Sequence, residues 1–197
     1  MDAERLDRQM RFLHELDKLT RILRQTLLLD GSRQENDAEH CWNLAVTAIV
    51  LGEHSAVKGI DLGRVIRMAL VHDVVEIDAG DTYCYDAEGN KTRAERERRA
   101  ADRIFALLPE DQGREIRDLW EEFEAQHTAE ARFAAALDRL QPLMHNYATQ
   151  GVMWRKHGVN SRDVREKNRH IAAGSQVLWE FAEGLIDDAV RRGWLAP

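Results

Sequence analysis

Apolar residues recur at intervals of three and four along most of this chain, and no segment alternates apolar and polar positions with the period of two that marks a half-buried strand. The spacing predicts an all-α fold. A first helix is expected over about residues 2–28, closed by the turn Asp30-Gly31-Ser32. A second begins at Asn36, whose side chain can cap it while Glu39 reaches back, a variant of the capping box. Leu62, Val65, Ile66, Ala69 and Leu70 define the core-facing side of a third helix that starts near Asp61. A loop with Tyr83, Cys84 and Tyr85 and the turn Glu88-Gly89-Asn90 precede a charged, mostly solvated helix over about residues 92–108, ended by Pro109. Further helices are expected over about 110–125, 128–153 and 163–192, with Gly158 and Asn160 between the last two. Phe133, Leu137, Leu140, Met144 and Tyr147 repeat at helical spacing as a core stripe. Pro142 cannot donate to the carbonyl of Asp138 and crowds it, so the helix is expected to bend there and aim Asp138 inward.

Composition narrows the class. A chain of 197 residues, 44% hydrophobic and 32% charged, without internal repeat or linker, is expected to form one domain over residues 1–197. Twenty-eight Lys and Arg against 35 Asp and Glu leave a formal charge of −7, with no basic run able to follow a polymeric nucleic acid. Two cysteines, Cys41 and Cys84, are too few for a disulfide framework, and the first residues lack the apolar segment of a secretory signal. Apolar stretches such as residues 44–51 are far short of a membrane span, so a soluble cytoplasmic protein without a membrane partner is expected.

Candidate chemistry centres on His72-Asp73, two metal-binding groups at the edge of an otherwise apolar helix, where an unpaired imidazole and carboxylate would be costly to bury. His40 and Asp138 complete a set of two imidazoles and two carboxylates that suits Mn, Fe, Co, Ni or Zn. Glu76 lies four residues after His72 and three after Asp73, on the same side of a helix or its last turn, and Asp81 follows Gly80, where a tight turn could return it to the site. Both acids are candidates for proton transfer. Arg21, Arg24 and Arg33 could supply a guanidinium for an anion. Cys41 points about 100 degrees around the helix from His40, and is expected to pack. Trp42, Trp120, Trp154, Trp179 and Trp194 are scattered, as core or interface residues would be.

The ordered series Arg33-Gln34-Glu35-Asn36-Asp37-Ala38-Glu39-His40, His72-Asp73 through Glu76, Gly80-Asp81 and Leu137-Asp138-Arg139-Leu140-Gln141-Pro142 resembles the HD-domain metal-dependent phosphohydrolases, and more narrowly their 5'-deoxynucleotidase-like branch, over about residues 17–146. That resemblance implies an HD-domain helical bundle, commonly a homodimer, that hydrolyses (deoxy)ribonucleoside 5'-monophosphates. It implies one divalent metal ion (Mn, Co, Zn, Fe, Ni or Mg) on His40, His72, Asp73 and Asp138, Glu76 and Asp81 in the hydrolytic step, and Arg24, with Arg33, at the substrate phosphate. Deoxy-selective members tend to have an aromatic residue after the phosphate-binding Arg, where this chain has Gln25. Alternatives within the superfamily are a nucleotide pyrophosphohydrolase or alarmone hydrolase and a di-iron oxygenase. The oxygenase needs further histidines between His72 and Asp138, where only His127 occurs. A metal-binding regulatory protein without turnover is a third possibility.

Overall fold

A computed structural model describes residues 3–197, eleven α-helices and a two-stranded hairpin among them. Helix α1 (Ala3–Leu16) passes through the 3-10 turn Asp17–Arg21 into strand β1 (Leu23–Leu27), which pairs antiparallel with β2 (Gln34–Asn36). The single helix expected over 2–28 is therefore corrected: it ends at Leu16, and its start at Asp2 lies outside the described residues. Two features hid the strand. A register irregularity between Leu23 and Leu27 breaks the alternation, and only Thr26 is fully buried in β1. The hairpin reverses at Gly31, whose φ of +71° suits glycine, between Leu28 and Arg33, whose backbones bond at 2.9 Å.

Asn36 caps α2 (Asp37–Leu51), accepting from the Glu39 amide at 3.0 Å while Glu39 accepts from the Asn36 amide at 3.2 Å, the expected capping box. Asp61 caps α3 (Leu62–Val71) through the Arg64 amide. Its buried side is Val65, Met68 and Ala69, whereas Leu70 is 46% exposed: eight residues after Leu62, it has rotated off the core-facing stripe. A run of turns leads to the short α4 (Glu76–Ala79). The charged helix α5 (Ala87–Phe105) begins earlier than expected because Asp86 accepts from the Glu88 and Gly89 amides. Helix α6 (Glu110–Ala125) follows Pro109 and ends at Gln126, which takes a left-handed conformation.

Thr128 caps α7 (Ala129–Ala148), the central helix, on which α2, α3, α6, α10 and α11 all pack. It runs unbroken through Pro142, and Asp138 is only 8% exposed. Phe133, Leu137 and Leu140 are buried, with Met144 and Tyr147 packed against the core. Beyond it, the expected helices 128–153 and 163–192 are each divided. Gly151, at φ +70°, separates α7 from α8 (Val152–His157), and Gly158 ends α8. The remainder comprises α9 (Ser161–Asn168), α10 (Ile171–Gly174) and α11 (Gln176–Arg191). Ser175 forces the last break: it adopts an extended backbone, accepts from the Leu178 amide and donates to the His54 carbonyl.

The core has a large cluster around α7 and a smaller one in which Phe12, Leu19, Val74, Val75, Ile104, Phe105 and Trp120 meet. Trp154 is buried, whereas Trp42 is 66% exposed. No helix among the described residues is long and apolar enough to cross a membrane.

Close approach of α10 to α7 depends on Gly174, where an added Cβ would lie 2.4 Å from the Arg132 carbonyl oxygen and 2.6 Å from the Ala136 Cβ. Gly184, inside α11, faces open space. Gly174→Ala is expected to lower stability by about 1–3 kcal/mol through overpacking, and Gly184→Ala to raise it by about 0.5–1 kcal/mol through helix propensity. Urea denaturation of the two variants checks both signs.

Candidate metal centre and cavity

Three separate elements bring the four candidate ligands together. His40 lies in the first turns of α2 and is fully buried, His72 and Asp73 follow the last turn of α3, and Asp138 is in the middle of α7. The His72 ring is set by its own helix end: its amide donates to the Met68 carbonyl and its Nδ1 to the Ala69 carbonyl, both at 3.0 Å, which turns Nε2 inward. Asp138 Oδ1 lies 3.0 Å from His40 Nε2 and 3.6 Å from His72 Nε2. Asp73 places Oδ1 3.2 Å from His72 Nε2 and Oδ2 3.7 Å from His40 Nε2.

These separations fit a shared divalent ion. Bonds of about 2.0–2.2 Å to nitrogen and oxygen put neighbouring ligand atoms roughly 3 Å apart. His72 Nε2 is buried and has no hydrogen-bond partner. The ligand atoms of His40, His72 and Asp73 lie within 4.8 Å of one another, with Asp138 beside them. A nitrogen and oxygen donor set of this kind suits a borderline or hard divalent cation.

Arg24 reaches the centre from β1, in place of the helix anticipated there. Its Nη1 donates to Asp73 Oδ2 at 2.7 Å and to Asp37 Oδ1 at 3.3 Å, and its Nη2 lies 3.9 Å from Asp138 Oδ1. Glu76 opens α4, and Asp81 follows Gly80, whose φ is +72°. Atoms of Asp37, Asp73 and Glu76 approach within 4.8 Å of one another, and Asp37 Oδ2 and Glu76 Oε2 are buried without partners.

The crowding divides the acids into two kinds. Burial raises Glu76 well above the usual carboxylate range, assisted by the charges of Asp73, Asp37 and Asp81; burial also raises Asp81, and moves Asp37 up to about 7. Burial opposes ionisation of Asp73 and Asp138 as well, but there it is outweighed. His72 and Arg24 hold Asp73 far down, and Arg139 with both histidines does the same for Asp138. His40 falls to about 4, because burial and the Arg24 charge disfavour its cation. Two ionised carboxylates thus face the histidines, while Glu76 and Asp81 bind protons more tightly than exposed acids do.

A cavity of about 270 Å³ opens beside this centre. His72, Asp73, Asp138, Glu76, Asp81 and Arg24 line it, together with Gln25 and Thr26 of β1. Its lining also includes Tyr83, Cys84, Tyr85, Arg139, Asn168 and His170. His40 stands behind the wall. Arg33 does not join the site: it is half-exposed outside the cavity, with Nη1 bonded to Glu39 Oε2 at 2.8 Å. Its position across the hairpin turn directs it to the outer side of α2. Arg21 is likewise exposed, and His127 is exposed and adds no ligand. Cys41 packs as expected, with Sγ 3.9 Å from His72 Nδ1.

Sequence reasoning passed over Glu35, Asp37 and Arg139. Asp37 opens α2 and Glu35 just precedes it, where acids are ordinarily explained by the helix dipole, and nothing local marks them as buried. Yet they are 0% and 1% exposed, respectively. Arg139, with Nε 3.6 Å from Asp138 Oδ2, was signalled only by its adjacency to that ligand.

Known proteins resemble this chain in sequence and in fold. Human 5'-deoxynucleotidase HDDC2 is 34% identical over 136 residues, 68% of this chain and 65% of the human protein. The chain thus spans about two thirds of that relative's length. The zebrafish 5'-deoxynucleotidase HDDC2 is 28% identical over 194 residues, 87% of this chain and 94% of its own. The crystal structure of a predicted metal-dependent phosphohydrolase from Magnetospirillum magnetotacticum MS-1 superposes with a TM-score of 0.94 at 54% identity, covering 98% of this chain and 97% of that one. Residues 16–179 match the HD domain, and with the paired His72-Asp73 placed against His40 and Asp138 at the heart of a helical bundle, the chain belongs to the HD domain family.

Proposed function

We propose that this protein is a metal-dependent phosphomonoester hydrolase, a 5'-nucleotidase that releases phosphate from ribo- and deoxyribonucleoside 5'-monophosphates. The observation that carries this reading is the His40, His72, Asp73 and Asp138 set, three members of which line a cavity that the Arg24 side chain also lines. The 5'-deoxynucleotidase relatives support the substrate class. His40, His72, Asp73 and Asp138 would hold one divalent ion, which when bound supplies Lewis-acid polarisation and a more acidic water.

The chain's own groups supply the rest. Arg24 presents a fixed positive charge and planar N–H donors that match phosphate oxygens, and its present partners Asp73 and Asp37 hold it at the cavity wall. Glu76 and Asp81 orient the attacking water and handle protons. The ionised member of the pair takes one from the water, and a protonated carboxyl gives one to the departing 5'-oxygen of the nucleoside. Their elevated proton affinity suits both tasks near neutrality. Gln25 lines the cavity next to Arg24, where its amide can hydrogen-bond a sugar hydroxyl, so ribonucleotides fall within the reading.

The assembly is a homodimer in this reading, through α2. From Cys41 to Leu51 the helix carries no charged side chain, yet Trp42, Val46, Ile49 and Val50 are 66%, 39%, 62% and 65% exposed. These positions form one apolar face at helical spacing, and a second copy can cover it with the identical face about a two-fold axis. The two cysteines are unpaired, which fits the reducing cytoplasm.

Phosphate release from a panel of nucleoside monophosphates, diphosphates and alarmones tests the activity, with each divalent metal added to stripped protein. Turnover of 5'-monophosphates is expected, and selective cleavage of pyrophosphate bonds would overturn the assignment. Glu76→Gln should lower kcat by about 10²–10⁴-fold, the range for loss of a proton-transfer group, and should retain metal, as titration calorimetry would show. Metal at a hundredfold excess over its Kd should stabilise the stripped protein by about 2.7 kcal/mol; thermal scans of Asp138→Ala should lack that gain and its phosphate release should vanish. Trp42→Glu should convert the dimer to monomer in light scattering.

A further inference from the structure

The structure assigns Glu35 a positioning role: its buried carboxylate fixes the His40 ring for metal binding and holds the Arg24 guanidinium beside it, joining the two halves of the site. The inference rests on the metal-dependent reading above and extends it to a residue outside the ligand set and outside the cavity wall.

The two histidines are supported unequally. His72 turns Nε2 toward the centre because its Nδ1 already has an acceptor, the Ala69 carbonyl at 3.0 Å. His40 has no such carbonyl. Its Nδ1 is buried and without a hydrogen-bond partner, and the facing group is Glu35 Oε2 at 3.9 Å. A neutral imidazole that ligates through Nε2 must carry its proton on Nδ1, and that proton then points at a carboxylate. The carboxylate–histidine–metal series so formed selects the tautomer and the ring orientation.

The same oxygen serves Arg24. Arg24 Nε is also buried without a partner, and Glu35 Oε2 lies 3.9 Å from it while Nη1 holds Asp73. Thr26 donates to this oxygen from 3.3 Å, and His145 Nδ1 is 3.7 Å away. The other oxygen accepts from Gln141 Nε2 at 2.9 Å, one helical turn after Asp138 on α7. Glu35 is 1% exposed, and it is fixed from β1 and α7 together. A modest closure of two gaps would give both orphaned donors one shared acceptor.

Calorimetric titration of stripped protein with Co²⁺ tests the assignment, with wild type, Glu35→Gln and Glu35→Asp in parallel and circular dichroism to verify folding. Glu35→Gln should weaken Co²⁺ by about 10–100-fold, the usual effect of removing an outer partner of a metal-binding histidine. It should also raise KM for a nucleoside monophosphate several-fold, through Arg24. Glu35→Asp keeps the anion but shortens its reach, so its affinity should fall between the two. It decides the question should the Gln variant fail to fold. A folded variant that binds Co²⁺ within twofold of wild type overturns the role of Glu35 and leaves the metal-dependent reading intact. Wild type that binds no divalent ion overturns both.

Discussion

The site depends on the burial of acidic side chains around two arginines, Arg24 and Arg139. Asp37, Asp73, Glu76 and Asp138 are all less than a tenth exposed, and Glu35 joins them from behind. Isolated in such surroundings, carboxylates would shed their charge or open the fold. Arg24 prevents this for Asp73, and the two imidazoles take the remaining oxygens in part. In the proposed reading, a divalent ion held by His40, His72, Asp73 and Asp138 would add positive charge to this buried acidic cluster.

This constraint explains the architecture around α7. Ala131, Ala134, Ala135 and Ala136 are completely or almost completely buried, and their small side chains let neighbouring helices approach the backbone. Gly174 meets that helix most closely, at Arg132 and Ala136. The scaffold is therefore tight around the part of α7 that presents Asp138 to the cavity. The cavity is also bordered by the hairpin, by the Tyr83-Cys84-Tyr85 loop and by the short helix α9.

The chain announces its candidate metal ligands more clearly than their surroundings. His72-Asp73 stood out because polar pairs rarely end an apolar helix, and Asn36 with Glu39 marked the start of the helix that carries His40. Helix existence was legible wherever caps and periodicity coincided, as in α2 and α3. The hairpin was not. Its strands are short, its alternation is interrupted by the register irregularity, and the run Thr26-Leu27-Leu28-Leu29 has no local property that excludes a helix. Glu35 and Asp37 were illegible for a related reason: burial of an acid is decided by what folds over it, here α7 and β1, and no nearby residue records that choice. Arg33 shows the converse, an arginine at a suggestive position whose partner Glu39 holds it outside.

The centre is also assembled from remote parts of the chain. His40 and Asp138 are 98 residues apart, Arg24 and Asp73 are 49 apart, and Glu35 and Gln141 are 106 apart. Contacts of that span carry a large loop-closure entropy and are not made in early, local folding events. During synthesis from the N-terminus, His40, His72 and Asp73 exist for a time without Asp138 and cannot complete the set. An ion held by all four proposed ligands would therefore bridge segments of the chain 98 residues apart.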